Sequence, residues 1–231
     1  MSLSHDPQLK KLAAPATARF AVWPLWATAA GLLGVLSTIV LDTRAREEGM
    51  VTVKDIETLD HEMFRAGGLT GYLCVAALLV FAAIWHRRVV QRFNWSLGAP
   101  IVSFGVIASA AALTLAYGWK GALGNYVNGA AEANTYDAEG LYNYYVMNDF
   151  SPFIGWLPVL VAAGGLAWMA FRERLVSRVL GGFAAALVIV VFGAVAITGV
   201  PGLPFASMLG LVIGGVWLSI GNSEITKDVI R

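Results

Sequence analysis

The sequence predicts an all-α integral membrane protein, a polytopic bundle of six transmembrane helices. Hydrophobic residues make up 58% of the 231-residue chain and charged residues only 13%, whereas soluble domains carry about 25% charged residues. This composition excludes a disordered chain, a nucleic-acid-binding domain and an ordinary cytosolic enzyme. Six stretches reach the about 20 apolar residues that a spanning helix needs. Their continuous apolar character favours helices over the alternating pattern of membrane strands.

The domain organisation follows from these six stretches, none of which contains Asp, Glu, Lys, Arg or His. A tail of residues 1–20 precedes a membrane domain of residues 21–220, and a second tail covers residues 221–231. Two long connections occupy residues 42–66 and 118–152. The predicted spans are residues 21–41, 67–85, 99–117, 153–171, 179–198 and 203–220.

The distribution of charge predicts the orientation. With six spans, the two tails and the connections after the second and fourth spans share one side, which then holds 11 basic and 4 acidic residues. The other side holds 5 basic and 11 acidic residues. Because cytoplasmic segments are enriched in Lys and Arg, both termini are expected in the cytoplasm, and residues 42–66 and 118–152 are the outer loops. Basic collars on the inner side are expected to attract anionic lipid headgroups, and they contain Arg87, Arg88, Arg172 and Arg174.

The first outer loop contains a helix-start motif. Thr52 and Asp55 have the spacing of a capping box, in which each side chain bonds a free backbone N–H group. Ile56, Leu59 and Met63 then recur on one helical face. The pattern predicts a short amphipathic helix that rests at the outer membrane surface.

The same loop holds a possible metal site. Glu57 and His61 lie four residues apart, with Asp60 between them, so a carboxylate and an imidazole can point the same way. The other interpretation is a solvated acidic face with an exposed histidine, which the absence of a second nearby histidine favours. No other cofactor is expected, because the spans contain neither histidines for haem nor a lysine for retinal.

The second outer loop is rich in aromatic residues, which form either an interfacial belt or a cap over the mouth of the bundle. Residues 139–149 are expected to be helical, with Leu141, Tyr144, Tyr145 and Met147 partly facing inward. Lys120 is expected to pair with a carboxylate of its own loop or to hold an anionic headgroup. The candidate outer-face binding residues are Lys120, Asp149, Tyr142, Tyr145 and Trp119.

Small residues in the sixth span predict close helix packing. Gly210 and Gly214 match the spacing that lets two membrane helices approach. The partner is either a helix of the same chain or a second copy of the chain.

Three stretches carry a resemblance to other proteins. Residues 117–123, 140–150 and 172–178 resemble a group of uncharacterised bacterial six-helix integral membrane proteins. The resemblance covers most of the chain from the second span onward and implies a bacterial cytoplasmic membrane. It implies no activity and carries over no functional residue.

The leading hypothesis is a non-enzymatic membrane protein that acts through its acidic, aromatic outer loops, either as an accessory or assembly subunit or as a lipid-interacting component. The alternatives are a small transporter or channel for a neutral or amphipathic solute, and an outward-facing metal-dependent enzyme. The expected partners are membrane lipids and other membrane protein subunits or a second copy, but not nucleic acid.

Overall fold

Helices form at every predicted apolar stretch of the sequence, and a helix satisfies its own backbone hydrogen bonds, as a spanning segment has to. The computed structural model describes residues 20–45 and 49–227. This described chain is 76% helical and contains no β-strand, which confirms the all-α prediction. Of the predicted tails, residues 1–19 and 228–231 lie outside the described residues.

Seven α-helices follow one another in the described chain: α1 Leu25–Val35, α2 His61–Trp85, α3 Gly98–Tyr126, α4 Ala138–Gly155, α5 Pro158–Trp168, α6 Arg178–Thr198 and α7 Pro204–Ile220. Turns of π-helix prolong α1, α2 and α5 over Leu36–Val40, His86–Val90 and Met169–Glu173. Short 3₁₀-helices cover Val53–Thr58 and Glu224–Thr226.

Four of the described helical segments are long and apolar enough to cross a membrane: His61–Val90, Gly98–Tyr126, Ala138–Glu173 and Arg178–Thr198. The segments Leu25–Val40 and Pro204–Ile220 are apolar but shorter. The length and apolar composition of these segments are those expected of a transmembrane protein.

Several helix boundaries differ from the predicted spans. The second helix begins at His61 rather than at residue 67, because Asp60 caps it by accepting from the N–H groups of Glu62 and Met63 at 2.9 and 3.4 Å. The third helix continues past residue 117 to Tyr126. As a result, most of the connection 118–152 is helical and belongs to α3 and α4.

Helix α3 lies at the centre of the bundle and packs against α2, α4 and α5. Helix α1 packs against α2 and α7, and α6 lies at the periphery against α5 and α7. Trp23, Phe81 and Trp85 form one aromatic cluster of the core, with ring centroids 5.7 to 6.1 Å apart. Because α6 has few packing partners, only three of its apolar side chains, Leu180, Ala184 and Val191, are buried.

The predicted glycine pair of the sixth span is only partly used for packing. A Cβ at Gly210 would lie 2.5 Å from Leu187 of α6, but a Cβ at Gly214 would meet nothing within 4 Å. The close approach to α1 occurs at Gly215, where a Cβ would lie 2.4 Å from the Thr28 hydroxyl oxygen and 2.8 Å from the Pro24 carbonyl oxygen. Contact between α1 and α7 therefore depends on Gly215.

We expect Gly215→Ala to destabilise the protein by about 1–3 kcal/mol, because the added methyl group forces α7 away from α1. Gly214→Ala is the matched control and should be neutral or slightly stabilising, since alanine favours a helix and the space is open. Melting temperatures in the same mild detergent compare the two variants. Equal losses of stability in both would contradict the packing described here.

Candidate binding site at the Lys120 end of the bundle

Lys120 is a buried cation near the end of α3. Its side chain is 3% exposed, and its ammonium group lies 2.7 Å from Asp42 Oδ1. It also donates to the carbonyl oxygens of Ser37 and Leu41 at 2.7 and 3.1 Å. A lysine has three N–H donors, so these contacts use all of them. The expected pairing with a carboxylate of residues 118–152 is wrong, because the ion-pair partner is Asp42 at the end of α1.

The C-terminal end of α1 explains why a cation is stable at this position. The last carbonyl groups of a helix lack intrahelical donors and carry partial negative charge. Lys120 supplies donors to two of these groups. Gly67 of α2 leaves the necessary space, since a Cβ there would lie 2.6 Å from the Leu41 carbonyl oxygen and 2.8 Å from Lys120 Cδ. The Phe64 ring adds a weak attraction, with its centroid 5.9 Å from the ammonium nitrogen.

We call the end of the bundle that contains Lys120 the Lys120 end. Helix α4 and the segment 49–60 form a cap over it. Ile56 and Leu59 of the segment are buried in an apolar cluster that includes Leu141 and Tyr145 of α4. The predicted amphipathic helix at the membrane surface is therefore wrong. The segment forms a 3₁₀-helix of only six residues that ends before Asp60, and its apolar side chains pack against α4 rather than lie on the membrane.

The capping box at the start of that 3₁₀-helix is confirmed. The Asp55 carboxylate accepts from the backbone N–H and the hydroxyl of Thr52 at 2.7 and 2.8 Å. Both residues were identified from their spacing alone, because a capping box is a local pattern that no distant contact has to complete.

Two predicted tyrosines connect α4 to the end of α1 and to the segment 49–60. The Tyr145 hydroxyl accepts from the Ala45 N–H at 3.2 Å, and the Tyr142 hydroxyl donates to the Val51 carbonyl oxygen at 3.3 Å. These hydroxyl groups bond protein backbone, which supports the cap interpretation over a belt of rings anchored only in lipid.

The predicted helix over residues 139–149 is confirmed and forms part of α4. Leu141 and Tyr145 are buried, and the ring of the half-buried Tyr144 lies 5.8 Å from the Trp119 ring. Met147 is 52% exposed, so its expected inward orientation is wrong.

A cavity of about 220 Å³ opens at the Lys120 end, between the end of α1, α3, α4 and the start of α7. Two predicted site residues, Lys120 and Asp149, line it together, whereas Trp119, Tyr142 and Tyr145 do not. Apolar walls beside a few polar groups are typical of sites for amphipathic ligands. The charged and amide groups of the lining are Asp42, Arg44, Lys120, Asn148 and Asp149, and the apolar walls include Ile39, Phe153 and Phe205.

The residues of the predicted metal site serve other roles. Asp60 caps α2, the His61 Nε2 atom lies 3.3 Å from a Glu62 carboxylate oxygen, and Glu57 is exposed on the 3₁₀-helix. Across residues 20–45 and 49–227, no group of three or more His, Cys, Asp or Glu side chains could hold a metal ion. His61 instead lines an open groove of about 500 Å³ between α2 and α3, together with Arg65.

The predicted basic collars lie at the opposite end of the bundle. Arg87 and Arg88 are in the π-helical turn after α2, and the Arg172 guanidinium lies 5.8 Å from the centroid of the Trp168 ring. Arg174 ends the turn after α5 in a left-handed conformation. Between the last two arginines, Glu173 accepts from the N–H groups at the start of α3, residues 97 and 98, at 2.8 and 3.2 Å.

Sequence reasoning missed Asp42, Arg44 and Asn148 as members of the cavity. Asp42 is the first charged residue after the first apolar run, and an acid at that position was a usable signal for a partner of Lys120. Asn148 carried no comparable signal, because its role depends on how α4 folds back over α1.

We expect Lys120→Met to destabilise the protein by about 3 kcal/mol or more, because it removes the cation that pairs with Asp42 and the donors to the Ser37 and Leu41 carbonyl oxygens. Asp42→Asn should cost less, about 1–2 kcal/mol, since the lysine keeps its bonds to Ser37 and Leu41. The double variant should regain part of the loss. Unfolding by denaturant in detergent measures these differences, and equal losses for the two single variants would refute this role of Lys120.

Comparison with known proteins gives this site no counterpart. No protein-family model, no curated protein and no solved structure matches the chain. The resemblance to bacterial six-helix membrane proteins therefore remains a prediction. The roles of the residues at the Lys120 end follow from their contacts, burial and charges alone.

Proposed function

We propose that this chain is a non-enzymatic protein of a bacterial cytoplasmic membrane that binds a lipid in the cavity at the Lys120 end, as an accessory or assembly component. It crosses the membrane six times with both termini in the cytoplasm, and the Lys120 end faces outward. The observation that carries the proposal is the cavity itself, which combines charged groups with apolar walls beneath an ordered cap.

Exposed apolar side chains support the membrane location. On α6, Ile189, Val190 and Ile197 are 70%, 63% and 87% exposed. A continuous apolar surface of this kind is unfavourable in water and typical of contact with lipid or with a partner helix. The shorter helices α1 and α7 pack against each other and against the longer helices α2 and α6, which supports their placement in the bilayer as well.

Buried hydroxyl groups give less support to a transporter or channel. Ser37, Ser109 and Ser219 each donate to a backbone carbonyl oxygen at 2.6 to 2.8 Å. These groups stabilise the helices and are not free to coordinate a passing solute. A metal-dependent enzyme also receives less support, because Glu57, Asp60 and His61 are not grouped as ligands.

The orientation can be tested with single cysteines, because the native Cys74 is fully buried. Glu132→Cys places a thiol on the exposed loop at the Lys120 end, and Asn94→Cys places one at the opposite end. In intact cells, a membrane-impermeant maleimide should label the first variant only, and permeabilisation should add the second. The reverse order would overturn the proposed topology.

Lipid binding can be tested by native mass spectrometry of protein purified in mild detergent. The wild type should retain lipid, and Ala116→Leu should lose most of it, because Ala116 of α3 is buried and lines the cavity. Ala111→Leu is the matched control, since Ala111 lies on an exposed face of the same helix. A wild type that carries no lipid and no protein partner would overturn the proposal, as would equal retention in both variants.

A further inference from the structure

We infer that the cavity at the Lys120 end recognises a primary ammonium group, and that its ligand is a zwitterion that carries this ammonium beside an anionic group, as an ethanolamine phospholipid does. The inference rests on the proposed lipid-binding function and adds the chemistry of the headgroup. It follows from counting which polar groups of the cavity are already bonded and which are open.

Lys120 is not available to a ligand. Its three donors bond Asp42, Ser37 and Leu41. Lys120 could therefore donate to a phosphate in the cavity only by breaking one of its hydrogen bonds to the end of α1. The buried cation therefore stabilises the fold, and the presence of a lysine does not make this cavity an anion site.

The Thr38 and Tyr117 hydroxyl groups of the lining bond each other at 3.1 Å, and Arg44 is exposed. The remaining open polar groups of the lining are acceptors. Asn148 is 4% exposed, and its amide nitrogen donates to Asp42 Oδ1 at 3.4 Å. Because a carboxylate only accepts hydrogen bonds, the Asn148 nitrogen must face Asp42, and the Asn148 side-chain oxygen must point away from it. That oxygen bonds no group in the described chain, and it is not among the atoms sealed from solvent. Within residues 20–45 and 49–227, Asp42 Oδ2 and the Asp149 carboxylate accept no hydrogen bond either.

These acceptors match a primary ammonium better than a quaternary one. A primary ammonium presents three N–H donors, and Asn148, Asp42 and Asp149 offer acceptors from the end of α1 and from α4. A quaternary ammonium cannot donate and depends on the faces of several aromatic rings. Acceptors that such a ligand covers without donating to them would make its binding unfavourable.

The charge balance favours a zwitterion over a simple cation. Asp42 and Asp149 contribute two negative charges to the lining, and Lys120 and Arg44 contribute two positive charges. A ligand with net charge would leave an excess charge in a partly buried site. A zwitterion adds none, and the exposed Arg44 at the opening provides a donor for its phosphate. The apolar side chains of Ile39 and Phe205 lie beside this opening, where they can contact the acyl chains.

The test is native mass spectrometry of the full-length protein with an equimolar mixture of phosphatidylethanolamine, phosphatidylcholine and phosphatidylglycerol that share the same acyl chains. We expect phosphatidylethanolamine to bind at least about tenfold more tightly than the other two, since charge-assisted hydrogen bonds are lost with each of them. Asp149→Asn should remove most of this preference. Glu139→Gln is the control, because Glu139 is an exposed carboxylate of the same helix outside the cavity.

The outcomes separate the inference from the proposed function. Equal binding of all three lipids, or a preference that Asp149→Asn leaves unchanged, would overturn ammonium recognition while lipid binding stands. No bound lipid of any class would overturn both. A further measurement adds soluble glycerophosphoethanolamine as a competitor of the lipid. If it competes as well as the lipid does, ammonium recognition is supported, and the ligand is a soluble amine rather than a lipid. Because Asp149 is exposed, an unchanged melting temperature should show that its variant is folded.

Discussion

The ammonium group of Lys120 is the contact on which the arrangement of the Lys120 end depends. It joins three parts of the chain that are distant in sequence, because it sits on α3, bonds the last carbonyl groups of α1 and lies over Phe64 of α2. A buried cation without partners would be strongly destabilising. The position of Asp42 and the direction of the end of α1 are therefore set by the same nitrogen atom.

This local concentration of polar groups contrasts with the rest of the bundle. Elsewhere, the core consists mainly of apolar and aromatic side chains, with serines such as Ser109 and Ser219 that donate to backbone carbonyl groups. Such contacts hold helices together but cannot orient a bound ligand. At the Lys120 end, by contrast, charges are fixed in place, and the tyrosines of α4 tie the cap to backbone groups of residues 45 and 51. The polar side chains that can orient a ligand are therefore grouped at the Lys120 end, while apolar packing stabilises the rest of the bundle.

How much the sequence predicts depends on how local each pattern is. Apolar runs and the capping box of Thr52 and Asp55 act within one helix or one turn, so composition and spacing identify them. The pairing of Lys120 with Asp42 forms only after α1 and α3 have come together, so the spacing of residues along the sequence cannot predict it. The extent of α3 was missed for a related reason. The predicted span ends with the apolar run at residue 117, but the helix continues to Tyr126 beside α2. A Cβ at Gly124 would lie 2.6 Å from the Arg65 backbone nitrogen, so this glycine serves the close approach of α2.

The bonds of Lys120 to the end of α1 also constrain the order in which the chain is assembled. Asp42, Ser37 and Leu41 are synthesised before Lys120, so the last carbonyl groups of α1 exist before the lysine that donates to them. A buried carbonyl group without a donor is costly, so water has to bond these groups until α3 packs against α1. The first three helices therefore reach their final state as one unit. A ribosome that stalls before residue 120 leaves a nascent chain whose first helix has no stable end.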